Sequence, residues 1–588
     1  MTRRSFIAAS SLLPALDSAA SGAAGAQRML LSRAWPAEAI AAVLTPLDRF
    51  HPLPLARQRE SWDRLPADLR AALVQSGARQ METPWQPITA ALFLEFHVNG
   101  NRSRFEAAYD GRRRKLKDLV IAECVEGKGR FTPEIVNGIW TICEETFWGL
   151  PAHMDMQKAG LGLPDVREPI VDLFAAETAS LLAWSYYLLR DHFAAVAKLV
   201  PERIQLEIER RILVPCFTRT DFGWMGYRGN APGNWDPWIC SNWLACTLLM
   251  EQDERRRCAA VSKILTCLDH FLSGYADDGG CEEGPGYWNR AGGSLFDCLY
   301  LLLLATNGKC NADGDPLIHE IALYICRTHI HDEWYTNFGD APARLYPNGE
   351  EIYRFGEFVG DRQMMSHGAF VAATQHHDDA RGDSIGRQLP ALFHPTSPKL
   401  VPASESLSRD VWLPGVQVMS ARVAEGSAHG LYLAAQAGHN GRGHGHNDVG
   451  NFLVYADGLP AIIDIGVETY TKNTFNSHRY EIWTMQSAYH NCPTIDGVMQ
   501  SNGRAFAARN VKYRAESGFA ELSLDLALAY PATAHVDSWN RRVRLDRLKN
   551  EIEVEDEFAL NASAGTITLT LITPCVVTTP AGGNSSSK

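Results

Sequence analysis

The spacing of apolar residues changes character once along this chain, and that change limits what it can fold into. From about residue 36 to 390 the apolar positions recur at helical spacing. The clearest stretches are 169–193, 201–217, 238–250, 254–272 and 293–305. They come in pairs joined by loops rich in Gly, Pro, Asp and Asn. No fixed sequence period links them, so a strict solenoid is not supported. Long helix pairs over some 350 residues predict an incomplete α/α toroid over 36–390, with a plain α-solenoid as the alternative. A Pro- and Ser-rich stretch, 387–408, then reads as a linker. Beyond it short alternating segments, each bounded by Gly, Asp or Asn, predict an antiparallel β-sandwich over 405–580. Residues 541–558 read as a hairpin turning near Leu548-Lys549-Asn550, and the last residues, AGGNSSSK, as a flexible tail.

Composition narrows the function. The 588 residues are 46% hydrophobic and 21% charged, which is globular. A formal net charge of −12 argues against non-specific nucleic-acid binding. An acidic substrate remains compatible if cations gather locally. The chain opens Thr2-Arg3-Arg4-Ser5-Phe6-Ile7, continues through an Ala/Leu-rich run and reaches Ala24-Gly25-Ala26. This has the form of an export signal over 1–26, and the Arg pair is like a twin-arginine signal for folded proteins. The expected location is therefore periplasmic or secreted. Pro14 and Asp17 interrupt the run, so it is not read as a membrane span. The 13 cysteines contain no CxxC and read as buried free thiols rather than a disulfide framework.

Three stretches could carry chemistry. Gly441–Gly450, GRGHGHNDVG, is followed by NFLVYADGLPAIIDIG and then by YHNCPTIDG. Read as strands, this puts His444 and His446 on one face, Asp464 in the second strand, and His490 beyond. His446, Asp464 and His490 are nitrogen and oxygen donors suited to zinc. His444 is left over beside them. Unrelated polar residues are the plainer reading. GNWDPWICSNW, 233–243, sets Asn234 and Asn242 among Trp235, Trp238 and Trp243. Such rings stack on sugar faces and such amides bond hydroxyls or carboxylates, or the tryptophans simply pack. DDGGCEEGPGYWNR, 277–290, is a bent, glycine-dense loop presenting Tyr287, Trp288 and Arg290. A tyrosine serves as general acid or base if cations lower its pKa. Glu282 and Glu283 admit a glycosidase pair, although sequence neighbours rarely face one bond. Arg290, Arg442 and Arg479 flank these stretches and are the candidate cations for a polyanion.

Together the three stretches resemble the heparinase II/III-like family of polysaccharide lyases, most specifically in GHGHND…IIDIG…YHNCPTIDG. The resemblance implies an α/α toroid joined to a β-sandwich, and cleavage of uronic-acid polysaccharides by β-elimination. It implies that Asn234 neutralises the uronate carboxylate, Tyr287 acts as general base or acid, and His444 is its partner. It implies a structural metal, zinc by chemistry, on His446, Asp464 and His490. Trp235, Asn242 and Arg290 are expected to bind substrate. Trp235 stands where several members carry His. The leading expectation is an exported lyase acting on a heparan-sulfate-like or related acidic polysaccharide, without nucleic acid or a membrane span. A toroid glycoside hydrolase and a non-catalytic polysaccharide-binding protein are the rivals, and a homodimer is left open.

Overall fold

The computed structural model describes residues 28–229, 232–374, 384–394, 401–562 and 565–578. The expected export stretch 1–26, residues 395–400 of the linker and the tail lie outside the described residues. Helices fill the first part of the chain and strands the second, as the change in spacing predicts.

The helices start where the sequence supplies caps. Asp172 accepts from the Ala175 N–H to open Leu173–Val196, and Asp253 accepts from Arg255 and Arg256 to open Glu254–Leu272. Asp315 does the same ahead of Pro316–Arg327. Trp235–Met250 is buried at every position from Asp236 onward, so it lies in the inner layer. One expected helix is broken. The 201–217 stretch folds as Val200–Ile208, a π turn over Glu209–Leu213, and Val214–Thr218. Pro215 has no N–H for the preceding turn, and a wider turn absorbs the missing bond. The resulting core is continuous from Leu31 to Leu389 and takes in Val411, Leu413 and Val416. Eleven of the cysteines are buried, most of them within that core. No helix among the described residues is long and apolar enough to cross a membrane.

The strand half holds two main antiparallel sheets. One has five strands in the order Asp410–Leu413, Val418–Arg422, Leu431–Gln436, Phe452–Ala456 and Leu459–Ile462. The other has four: Arg509–Ala515, Phe519–Asp525, Val536–Asp546 and Glu551–Leu560. Their inner faces meet in a sandwich core, with Met419, Ala421, Leu433 and Ala435 against Leu522, Leu524, Trp539 and Val543. The expected hairpin is present, with Asp546 paired to Glu551 across a turn that includes Leu548-Lys549-Asn550. Two expectations fail locally. His444 and His446 lie in a loop, not on a strand, and Asp464 follows the Leu459–Ile462 strand rather than sitting in it. Glycine density explains both: GRGHG cannot hold a regular ladder, and Gly466 adopts a positive φ just after Asp464.

What positions the site is the seam between the halves. A short hairpin, His329–His331 with Trp334–Tyr335, leaves the helical half and lies on the five-stranded sheet. Ile330 and Phe338 bury against Tyr432, Ala434, Leu453 and Tyr455. Arg422 donates to the carbonyl of His329 at 3.2 Å, and the Gly415 N–H donates to Asp278 at 2.6 Å. Further along, the Asp340 N–H donates to the His444 carbonyl at 3.1 Å. Gly339 makes that approach feasible. Its φ is +72°, and a Cβ there would lie 2.7 Å from the His444 carbonyl oxygen. Gly339→Ala is therefore expected to cost about 1–3 kcal/mol, combining left-handed strain with the clash. Urea denaturation measures it; an unchanged midpoint would mean that the two loops do not meet this closely.

Candidate active site

Tyr287 and His444 come from opposite halves of the chain and meet at this seam. Tyr287 ends a single 3-10 turn, Pro285–Tyr287, in the glycine-dense loop. Gly284, with φ +84°, lets the loop pass Phe338, whose carbonyl would stand 3.1 Å from a Cβ. His444 itself has φ +56°, a left-handed conformation that costs a non-glycine residue of order 1 kcal/mol. The Tyr287 Oη lies 3.1 Å from His444 Nδ1, and the ring centroids are 4.4 Å apart. Both side chains are partly exposed.

Asp340 holds this pair in place. Its Oδ2 accepts from His444 Nδ1 at 3.0 Å and from the Tyr470 hydroxyl at 3.0 Å. Tyr470 Oη in turn is 2.5 Å from Tyr287 Oη. Oδ1 accepts from His446 Nε2 at 3.0 Å and from Arg479 Nη2 at 2.7 Å. Burial by itself would raise the Asp340 carboxyl. Hydrogen bonds from His444 and His446, with the Arg479 charge, hold it well below the ordinary carboxylate range. Tyr287 goes the other way: burial raises its phenol above the ordinary value, and Tyr470, Asp340 and Glu283 add to the rise. The cations expected to lower it are not against it. With Nδ1–H directed at Asp340, His444 keeps its Nε2 lone pair outward.

That nitrogen faces Glu283 Oε2 at 3.4 Å. Glu283 also accepts from Asn234, through the backbone N–H at 3.0 Å and through the side-chain amide in a short bond. Asn234 is buried at the head of Trp235–Met250 and does not cap that helix with its side chain. A carboxylate thus already sits between the Asn234 amide and the His444 imidazole. Glu282 is exposed while Glu283 turns inward, so the two do not face one point.

His446, Asp464 and His490 do converge: one ligating atom from each lies within 4.8 Å of the others, and all three are buried. Their hydrogen bonds fit a metal. His446 Nε2 is committed to Asp340 and His490 Nε2 to the Thr484 carbonyl at 3.0 Å, so both carry hydrogen there. Each Nδ1 is then the atom turned toward Asp464 and its partner histidine. That of His446 is buried without a partner, and that of His490 faces Asp464 Oδ2 at 2.9 Å. Burial would depress the His490 imidazole, but Asp464 outweighs it and lifts it to about 9. A cation among the three would take the place of that proton and satisfy the orphaned nitrogen.

Comparison with known proteins bears on the fold that frames this site. Residues 414–584 match the family model described as heparinase II/III-like, C-terminal. The strand half of the chain thus carries a heparinase II/III-like C-terminal domain. Among solved structures it is similar to a heparinase III, at 13% identity and a TM-score of 0.56, covering 90% of this chain and 81% of that one. A heparinase III gene product gives 13% and 0.56, with 92% and 77% covered. A heparan sulfate lyase mutant from Pedobacter heparinus gives 13% and 0.52, with 84% and 74% covered. This likeness carries the fold, an α/α toroid followed by a β domain. No curated protein matches the chain by sequence.

The other expected site residues are distributed differently. Trp235 packs on His153, with centroids 4.7 Å apart. Asn242 is buried and donates to the Trp238 carbonyl at 2.8 Å. Arg290 lies over Trp238, 3.9 Å from its ring centroid, and pairs with Glu177 at 2.6 Å. Arg442 donates to Gln436 at 2.5 Å, and Arg479 is spent on Asp340. The three arginines expected to greet a polyanion are thus paired internally. Asp340 and Tyr470 are the residues that sequence reasoning missed. Neither stands in a histidine or glycine motif, and only the Asp following Gly339 hinted at a tight turn. Asp340→Asn leaves Arg479 buried without its carboxylate. It is expected to destabilise the chain by about 3–5 kcal/mol in chemical denaturation; a loss below about 1 kcal/mol would mean that its donors find other acceptors.

Proposed function

We propose that this protein is an exported polysaccharide lyase that cuts uronate linkages by β-elimination. The observation that carries the reading is the contact between Tyr287 and His444 across the seam, with His444 held through Nδ1 by Asp340. In this reading His444 Nε2 takes the hydrogen from C5 of the uronate. The electron pair forms the C4=C5 double bond, the C4–O4 bond breaks, and the Tyr287 hydroxyl gives its proton to O4. A neutral phenol suits the acid role, and the raised Tyr287 pKa favours it.

The C5 hydrogen is weakly acidic, so the developing enolate must be stabilised at the carboxylate. Asn234 is the proposed donor. Glu283 supports this by example, since its carboxylate already takes both Asn234 N–H groups; substrate would have to displace it. Base and acid lie side by side, so both serve one face of the sugar ring. That arrangement favours uronates whose C5 hydrogen and O4 lie on the same face, as in glucuronate. The internal pairing of Arg290, Arg442 and Arg479 favours a substrate with little sulfate. Zinc held by His446, Asp464 and His490 would supply structural support beneath His444. The Arg3-Arg4 opening supports export, which also suits a polymer too large to enter a cell.

The test is incubation with hyaluronan, chondroitin, heparan sulfate, heparin and alginate, read by ultraviolet absorbance of the unsaturated product. Product is expected from glucuronate-containing, lightly sulfated polymers. Tyr287→Phe should lower kcat roughly 100- to 10,000-fold with an unchanged circular dichroism spectrum. Full activity in that variant would remove Tyr287 from the reaction, and reducing ends without a new double bond would indicate hydrolysis instead.

A further inference from the structure

The helical half contains a second convergence of metal-binding groups, remote in sequence from the histidines. Asp236 and Cys240 stand one turn apart on Trp235–Met250, and Cys267 faces them from Glu254–Leu272. One ligating atom from each of the three lies within 4.8 Å of the others. All three residues are buried, with Asp236, Cys240 and Cys267 each at 0% exposure.

The carboxylate is the unexpected member. Neither oxygen of Asp236 has a hydrogen-bond partner. A carboxylate without water or donors costs several kcal/mol as an anion, and burial accordingly pushes the Asp236 carboxyl well above its ordinary value. The packing offsets little of that cost, through the Cys240 thiol. The neighbouring thiols are weak donors, and Cys298, the next thiol in the layer, is directed at the Pro237 carbonyl at 3.9 Å. An Ala or Leu would fill an inner helix position at less cost. A bound cation would remove the penalty, and sulfur ligands beside one carboxylate select a thiophilic metal rather than calcium or magnesium.

We infer that Asp236, Cys240 and Cys267 form a second metal centre, which takes zinc or a zinc-like divalent ion and clamps these two helices together. It starts in the first turn of Trp235–Met250, in the helical half, whereas His446, Asp464 and His490 belong to the strand half. It does not depend on the proposed lyase reaction, because metal content is read without substrate.

The test uses the full chain produced in zinc-supplemented medium, with metal counted by mass spectrometry. Two equivalents of zinc per chain are expected. His446→Ala should lose one and keep the other, and Cys267→Ser should do the reverse. Cobalt substitution of His446→Ala should show thiolate-to-cobalt charge-transfer absorption in the near ultraviolet. That band cannot come from a site of histidine and aspartate alone. Cys240→Ala provides a second variant if Cys267→Ser fails to fold, with circular dichroism as the check. The inference is overturned if His446→Ala holds no metal and shows no such band. It is equally overturned if Cys240 and Cys267 prove to be joined as a disulfide in the denatured, unreduced chain.

Discussion

A single carboxylate ties the two halves of this protein together at the place where chemistry is proposed. Asp340 belongs to the helical half, yet each of the side chains bonded to it comes from the strand half: His444, His446, Tyr470 and Arg479. Its side chain is fully buried. A buried carboxylate must be paired and hydrogen-bonded or it becomes a liability. Here that requirement fixes the register of one half against the other. It also fixes the tautomers: Nδ1–H on His444 and Nε2–H on His446 are the forms that donate to Asp340. One acceptor therefore orients both the proposed base and a candidate metal ligand.

The electrostatics around Tyr287 follow from the same residue. The site carries Asp340 and Glu283, and Arg479 is neutralised by its pairing with Asp340. A phenol in such surroundings stays protonated, which fits proton donation better than abstraction. Glu283 adds a competitor for Asn234. The chain without ligand thus presents an internally satisfied site, in which an incoming carboxylate exchanges for one already there. This is consistent with a net charge of −12, since the affinity would come from exchange of like for like rather than from a surplus of positive charge.

Hydrogen-bond accounting separates the metal-like clusters from ordinary polar burial. Around His446, Asp464 and His490 both Nε2 atoms have acceptors, which leaves the His446 Nδ1 buried without a partner. Around Asp236 the neighbouring donors are thiols, which are weak ones. In each case the unmatched atoms point to a missing positive charge, and the donor types differ: nitrogen and oxygen in the strand half, sulfur and oxygen in the helical half.

The sequence alone determined the architecture. Period-3.6 spacing up to about 390 and alternation beyond about 405 are local properties, and they fix which faces must be buried. It also singled out residues in unusual local contexts that the structure brings together: Tyr287 with His444, and the His446, Asp464 and His490 set. It misjudged the backbone under the histidines, because glycines that permit a strand also permit the loop that forms. Only the tertiary structure decided that Arg290, Arg442 and Arg479 are consumed by internal partners, that Glu283 occupies the Asn234 amide, and that Asp340 and Tyr470 complete the site. Most of those outcomes depend on contacts between residues far apart in the chain, from 49 positions for Asn234 with Glu283 to 183 for Tyr287 with Tyr470. No local pattern encodes such a contact; it exists only once two separately folded surfaces have closed on each other.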